Sequence, residues 1–320
     1  MKRTANRFLC AIFTLFLFVT PVLAAELIPV GTVIGLELRG DTVTVAAFDD
    51  VATAARDAGF QIGDQLLSIE GQKIENAEDV RKILNKSDGS VDVSILRDGK
   101  EQSIHLEPDI TTDGPRLGVY LRQGITGIGT VTWYDPDSGQ FGTLGHGVSD
   151  SSGGLLDMTA GRAYPASVIS VQKGKAGQPG QLKGAISGEH LLGNLSGNTA
   201  RGVFGTAPGA WAGEAMATAD YGEITTGPAT IRSTVDQGSP RDYSVEILKI
   251  YPRSRTDGRN FLLKVTDPDL LAATGGIVQG MSGSPIIQDG KLIGAVTHVL
   301  VNSPDTGYGI FIENMLDAAG

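Results

Sequence analysis

Between residues 91 and 106 apolar side chains alternate with polar ones: Val91, Val93 and Ile95 run up to Asp98-Gly99, and Ile104 and Leu106 return beyond it. A period of two predicts strands, and Asp-Gly between two such runs predicts a hairpin. Just upstream the period lengthens. Val80, Ile83 and Leu84 fall on one face of a helix, which Asn76 can cap, with Asp79 three positions on. Earlier still, Ala54 to Ala58 predicts a short helix stopped by Gly59. A turn at Gly63-Asp64, a strand through Leu66, Leu67 and Ile69, and a second turn at Glu70-Gly71 follow. Residues 27–107 therefore read as a small α+β unit. After a polar, Pro-containing link over 108–116 the texture changes to long Gly-rich β sequence. Strand candidates there include Leu117–Leu121, Gly129–Trp133, Ile286–Ile287 before an Asp289-Gly290 turn, Leu292–Leu300 and Tyr308–Ile312. Many short strands separated by turns predict a β-barrel arrangement with few helices over 117–320.

The length of 320 residues and the 44 glycines with few aromatics agree with two mainly β domains. A net charge of −10 without a basic stripe argues against nucleic acid as a partner. Residues 1–25 form a separate unit. Lys2, Arg3 and Arg7 precede an apolar run from Phe8 to Val19, and Val22-Leu23-Ala24 has the small-residue form of a cleavage site. This predicts export, with the segment either removed at Ala24 or kept as a membrane anchor; at sixteen residues from Phe8 to Leu23 it is short for a full span. The only cysteine, Cys10, lies inside it, so a processed chain has no thiol, and four scattered histidines offer no metal-ligand spacing. No metal site and no cofactor are expected.

The hexapeptide GMSGSP, Gly280 to Pro285, has the form a nucleophilic serine on a tight turn requires. Glycines at 280 and 283 let the backbone fold closely around Ser282, and the N–H groups of Gly280 and Ser282 are left to face a developing oxyanion. The alternative is a plain Gly/Ser/Pro surface turn. Upstream, TLGHGVSD holds His146 between two glycines, in a loop where substrate can reach the ring and a serine turn can use it as base. For a third member the spacing leaves Asp150, Asp157 and Asp220 open. His298 follows the serine turn on a candidate strand and reads either as a specificity-pocket wall or as a packed residue. His105 reads as an exposed strand residue, and the Gly-rich stretch 174–205 lacks the phosphate-loop pattern.

Two resemblances sharpen this. The order of elements over 27–107 resembles a PDZ domain of the type attached to exported serine proteases. That resemblance implies a peptide groove between a strand and the second helix, with Ile34, Gly35 and Leu36 matching the carboxylate-binding loop and Gly31 standing for its displaced first glycine. The order His146 then Ser282 is that of chymotrypsin-like double β-barrels. Nearly the whole chain, through TVTWYDPDSGQFGTLGHGVSD, KVTDPDLL and GMSGSPIIQDGKLIGAVTHVLVNSPDTGYGIFIENML, resembles the stage IV sporulation protein B peptidases of endospore formers. The resemblance implies a serine endopeptidase with Asp267 as triad acid. It would be exported to the space between forespore and mother cell, cleaving itself and a membrane-bound regulator of an intramembrane protease so that a late sigma factor is activated. A general exported quality-control protease and a non-catalytic PDZ scaffold are the competing readings. The PDZ-like unit preceding the catalytic region speaks against the first, and the presence of Ser282, His146 and the turn glycines against the second.

Overall fold

The computed structural model of the protein describes residues 25–150, 153–187 and 190–320. Of the segment over 1–25, expected to direct export or to anchor the chain, residues 1–24 lie outside the described residues. Among the described residues no helix is long and apolar enough to cross a membrane.

A short strand β1 (Glu26–Pro29) leads into β2 (Val33–Phe48), sixteen residues long. The chain then makes α1 (Ala54–Asp57), β3 (Gln65–Ile69), β4 (Gln72–Lys73), α2 (Ala77–Leu84), β5 (Val91–Arg97), β6 (Lys100–Leu106) and a small hairpin of β7 (Asp109–Thr111) and β8 (Gly114–Arg116). It returns along β9 (Val119–Tyr134), also sixteen residues. β2 and β9 pair antiparallel from Phe48 opposite Val119 to Val33 opposite Thr130, a ladder of about 40–50 Å at the rise of an extended strand. Everything from Asp49 to Gly118 hangs from one end of that ladder.

At that end β3, β5 and β6 extend the sheet from Val43 and Thr44. Val91, Val93 and Ile95 point inward as their alternation predicts, and α2 lays Val80, Ile83 and Leu84 on them. Asn76 caps α2 reciprocally with Asp79. Asp98 and Gly99 both take positive φ in the β5–β6 turn, as a type I′ hairpin demands. Asp64, almost fully buried, receives two hydrogen bonds from Arg97, at 2.7 and 2.6 Å.

At the other end the same strands join a barrel. β10 (Gln140–Thr143), β11 (Met158–Gln172), β13 (Gly193–Thr199) and β14 (Gly202–Thr206) complete a closed ring in the order β9, β10, β14, β13, β11, β2 and back to β9, while β12 (Gln181–Ile186) pairs with β11 outside the ring. Ile34, Leu36 and Leu38 belong to this barrel's core, whereas Val43 and Val45 of the same strand belong to the PDZ core. After β15 (Met216–Ala217), a second closed six-stranded barrel is built from β16 (Gly227–Ser233), β17 (Arg241–Ile250), β18 (Phe261–Val265), β19 (Pro285–Gln288), β20 (Lys291–Leu300) and β21 (Ser303–Phe311). Helix α3 (Pro268–Thr274) follows β18, and α4 (Ile312–Ala319) closes the chain against the barrels. The mainly β reading holds, with a PDZ domain and a chymotrypsin-like double barrel.

The serial boundaries need correction in space. The first barrel begins before the PDZ unit, because the first half of β2 is a barrel strand and β1 pairs beside it with β9, so the unit is inserted into a barrel hairpin. The link over 108–116 is part of the PDZ domain: Asp109 accepts from the Ala54 N–H at 2.8 Å, and Ala55 N–H bonds the Leu117 carbonyl at 2.8 Å. The two strands expected over 117–121 and 129–133 are one. Where barrel gives way to PDZ the β2–β9 register slips between Leu38 and Val43, and Gly124 takes φ +91° against the Leu38 carbonyl. A Cβ there overlaps backbone. Gly124→Ala is therefore expected to destabilise by about 1–3 kcal/mol, from forced φ and displaced backbone. Gly127→Ala, at a glycine with open space and no positive φ, serves as control. Urea midpoints of the two variants check this; equal midpoints would remove the constraint.

Candidate active site and peptide groove

The serine turn sits where the barrels meet. Gly280 and Gly283 take φ +97° and +96°, backbone that L side chains rarely adopt, and a Cβ on Gly283 would overlap the Thr130 carbonyl of β9. Met281 N–H bonds Val278 O at 3.1 Å and Ser284 N–H bonds Met281 O at 2.9 Å, curling the chain so that Ser282 stands at the crest. Among the described residues the N–H groups of Gly280 and Ser282 have no hydrogen-bond acceptor. Ser284 is excluded as nucleophile, since it is fully buried and its hydroxyl bonds Ser233 at 3.0 Å.

His146 arrives from the other barrel. β10 is followed by Leu144 and Gly145, both at φ +68°. A leucine in the left-handed region costs on the order of 1 kcal/mol or more, held here by Leu144 N–H on Thr130 O at 3.3 Å. The bend puts the imidazole into a cleft of about 380 Å³ that it shares with Ser282, Gly280, Ile277, Val278 and His298. His146 Nδ1 lies 2.9 Å from the Gly147 carbonyl, so Nδ1 carries the hydrogen and Nε2 is left as acceptor. Burial pushes its pKa below the ordinary histidine value, with the Gly147 bond opposing. Ser282 Oγ donates to Thr297 O at 2.9 Å and not to His146.

His298, on β20, is the residue the sequence undervalued. Its ring lies 5.4 Å from that of His146, tilted by 40°. Burial, then the neighbouring His146 and Arg259 charges, lower its pKa to about 4, against a smaller raising effect of Asp257. Its Nδ1 is buried and has no partner among the described residues.

Asp267, the triad acid that the family resemblance implies, is engaged at a helix start. Asp267 is the N-cap of α3: Oδ1 accepts from Asp269 and Leu270 N–H at 3.0 Å, and Oδ2 from Ser244 N–H at 3.2 Å. Asp followed by Pro268 at the first helical position is a helix start, and capping is its role here. Asp150 accepts from Gly154 N–H at 3.2 Å in the loop after His146, Asp157 is exposed, and Asp220 precedes a 3₁₀ turn. Among the described residues no carboxylate hydrogen-bonds His146. No cluster of three or more metal-ligating side chains occurs among them either.

Ile34, Gly35 and Leu36 are also displaced from their expected role. They pair with β9 on one edge and β11 on the other, and Ile34 and Leu36 are buried in the barrel core, so no peptide can add there. A Cβ on Gly35 would overlap Ile186 of β12 rather than a ligand. A recess of about 460 Å³ lies instead between α2 and the start of β9, lined by Ala77, Val80, Arg81 and Leu84 opposite Arg116 to Leu121. Leu117-Gly118-Val119 has the same apolar-Gly-apolar form. Gly118 takes φ +80° with its backbone against the Ala52 carbonyl, and among the described residues β9 here is paired only on the β2 side. Only topology separates the two matches, because strand addition needs a free edge.

A family model described as SpoIVB peptidase S55 matches residues 113–316, more than half of the chain. The chain belongs to this serine peptidase family. A PDZ domain model matches residues 33–107. A protein of Agrobacterium fabrum described as a candidate zinc metalloprotease is 33% identical over 100 residues, 31% of this chain and 26% of that protein. A similarly described protein of Brucella suis is 33% identical over 78 residues, 24% and 21% of the two chains. This chain thus spans about a quarter of the length of the curated relatives it matches. Among solved structures, the PDZ domain of an SdrC-like protein from Listeria monocytogenes is 18% identical, covering 25% of this chain and 87% of that one with a TM-score of 0.23. The Rv3671c protease of M. tuberculosis in its inactive form is 13% identical, covering 61% and 85%, with a TM-score of 0.35.

The histidine pair generates a pH prediction. Both imidazoles have folded pKa values below 6.5, so the unfolded chain binds more protons as pH falls below that value. Stability is therefore full above about pH 6.5 and is lost as pH falls towards 4. His298→Gln should flatten part of this slope in the thermal midpoint between pH 4 and 6.5. An unchanged slope would show that His298 is not held neutral.

Proposed function

We propose that the protein is an endopeptidase in which Ser282 is the nucleophile, His146 the general base, and the N–H groups of Gly280 and Ser282 the oxyanion hole. The observation that carries this reading is their convergence: a serine at the crest of a turn, two unspent N–H donors on it, and in the same cleft an imidazole whose Nε2 is free to accept. Ser282 Oγ turns from Thr297 O to Nε2 and attacks the scissile carbonyl as its proton passes to Nε2. The carbonyl oxygen becomes an oxyanion between the two N–H groups, and the protonated imidazole then gives the proton to the leaving amine. Water repeats the cycle on the acyl-serine. The Gly147 carbonyl fixes the tautomer, the task a carboxylate performs in a Ser-His-Asp triad. Burial keeps His146 neutral, so activity should hold to below pH 6.5 before protonation of the base removes it.

The PDZ groove gives this chemistry a way to select substrate. An extended peptide adding to the free edge of β9 would set its terminal carboxylate by the Leu117-Gly118 backbone and Arg116, raising the local concentration of a tethered protein near the cleft. Membership of the SpoIVB peptidase S55 family supports a signalling role in sporulation. In this reading the protease is exported between forespore and mother cell, with the N-terminal segment as signal or transient anchor. It cleaves itself and a membrane-bound regulator of an intramembrane protease, and so activates a late sigma factor.

Ser282→Ala should lower turnover by about 10⁶-fold with the fold intact, and His146→Ala comparably. Asp267→Ala should behave differently, costing about 1 kcal/mol of stability as a lost cap while leaving kcat within about threefold. A loss near 10³-fold in Asp267→Ala would return that residue to the triad. Arg116→Glu, at an exposed position, should weaken binding of a peptide with a free C-terminus at least about tenfold and slow cleavage of a protein substrate carrying it. Hydrolysis of a short peptide should not change. Equal losses on both substrates would defeat the delivery role.

A further inference from the structure

The serine turn is held mostly from outside its own barrel. A planar trans peptide points each N–H opposite the carbonyl of the preceding residue, so the direction of the Gly280 N–H is set by Gln279 O and that of the Ser282 N–H by Met281 O. Five consecutive carbonyls, 279 to 283, are all bonded. Gln279 O accepts from Leu182 N–H at 2.8 Å, Gly280 O from Thr130 Oγ1 at 2.7 Å and Met281 O from Ser284 N–H at 2.9 Å. Ser282 O accepts from Thr130 N–H at 3.1 Å and Gly283 O from Thr132 Oγ1 at 2.7 Å. Only the Met281 bond comes from within the turn. The other four donors belong to β9 and β12 of the N-terminal barrel. Gln279 N–H also bonds Gly180 O at 3.0 Å, so Gln181 and Gln279 form a parallel bridge between β12 and the turn.

We propose that the oxyanion hole is held in its working orientation by two struts of the N-terminal barrel, Thr130 on β9 and the Gly180–Leu182 edge of β12, which act as positioning residues. The inference rests on the assignment of Gly280 and Ser282 N–H as oxyanion donors. Its physical basis is the freedom of Gly280: at φ +97° with no Cβ, little in the residue itself opposes rotation of the adjoining peptide planes. If the plane between residues 279 and 280 turned over, the Gly280 N–H would leave the cleft and the carbonyl would enter it. Leu182 N–H opposes that rotation by holding Gln279 O, and Thr130 Oγ1 holds the next plane. Thr130 also ties the hole to the base, since its own carbonyl accepts from Thr143 Oγ1 at 2.6 Å and from Leu144 N–H at 3.3 Å, at the root of the His146 loop. Thr130 is fully buried and touches no substrate-facing space.

The test uses the full chain, a short chromogenic peptide and a peptide aldehyde whose adduct with Ser282 carries an oxyanion. Thr130→Val keeps shape and removes one hydroxyl; Thr130→Ser restores it. Gly180→Ala places a Cβ against Gly174 N, Gln172 O and the Val278 side chain, driving the β12 edge off the turn. Lys183→Ala, on an exposed residue of the same strand, is the control. Losing or misplacing one oxyanion donor costs about 10²-fold in kcat. Thr130→Val and Gly180→Ala should each lose about that much, with KM within about threefold, aldehyde affinity reduced in step with kcat, and the acid limb of the pH profile unmoved. Thr130→Ser should recover to within about threefold of the parent. If Thr130→Val and Thr130→Ser are alike, or kcat and KM worsen together in step with the thermal midpoint, the struts are merely structural and the proposal fails. Should Gly180→Ala not fold, the Thr130 pair decides. Activity surviving in Ser282→Ala would instead overturn the assignment of the nucleophile beneath it.

Discussion

A turn that carries glycines at two positive-φ positions cannot fix its own shape, so the site depends on what bonds its carbonyls. Here that is chiefly β9. Its Thr130 and Thr132 bond three carbonyls of the serine turn, and Thr130 also accepts from the histidine loop. The loops that carry Ser282 and His146 come from different barrels, and this one residue joins them. Gly283 shows how close the docking is, because no Cβ fits between it and the Thr130 carbonyl.

The same strand begins in the PDZ groove. Val119 to Leu121 line the recess beside α2, and eleven residues beyond Val119 Thr130 meets the serine turn. The PDZ domain is therefore no appendage on a flexible tether but a broadening of a barrel hairpin, with its core divided from the barrel core at the register slip opposite Gly124. Gly35 belongs to this framework as well, since its missing side chain leaves room for Ile186 of β12, the strand whose other end braces Gln279.

Elements set by a few neighbouring residues are legible in the sequence because their physics is local. The α2 cap at Asn76, the Asp98-Gly99 hairpin, the inward alternation of Val91, Val93 and Ile95, and the glycines around Ser282 each follow from a few neighbouring residues. What failed was pairing. Ile34-Gly35-Leu36 and Leu117-Gly118-Val119 carry the same pattern, and a period of two says which side chains face inward without saying which strand lies alongside. Asp267 carries a local signal as well as the family pattern, an Asp before Pro at a helix start. Thr130 could not have been found at all, since a threonine in a strand announces nothing until its partner, 150 positions away, is known.

The most direct test of this account is to label the active protein with a peptidyl phosphonate and map the adduct by mass spectrometry. A phosphonate reacts with a serine only where a base removes the proton and the oxyanion is received. The account predicts a single adduct, on Ser282, that is absent in His146→Ala. An adduct on Ser284, or labelling of Ser282 undiminished without His146, would contradict it.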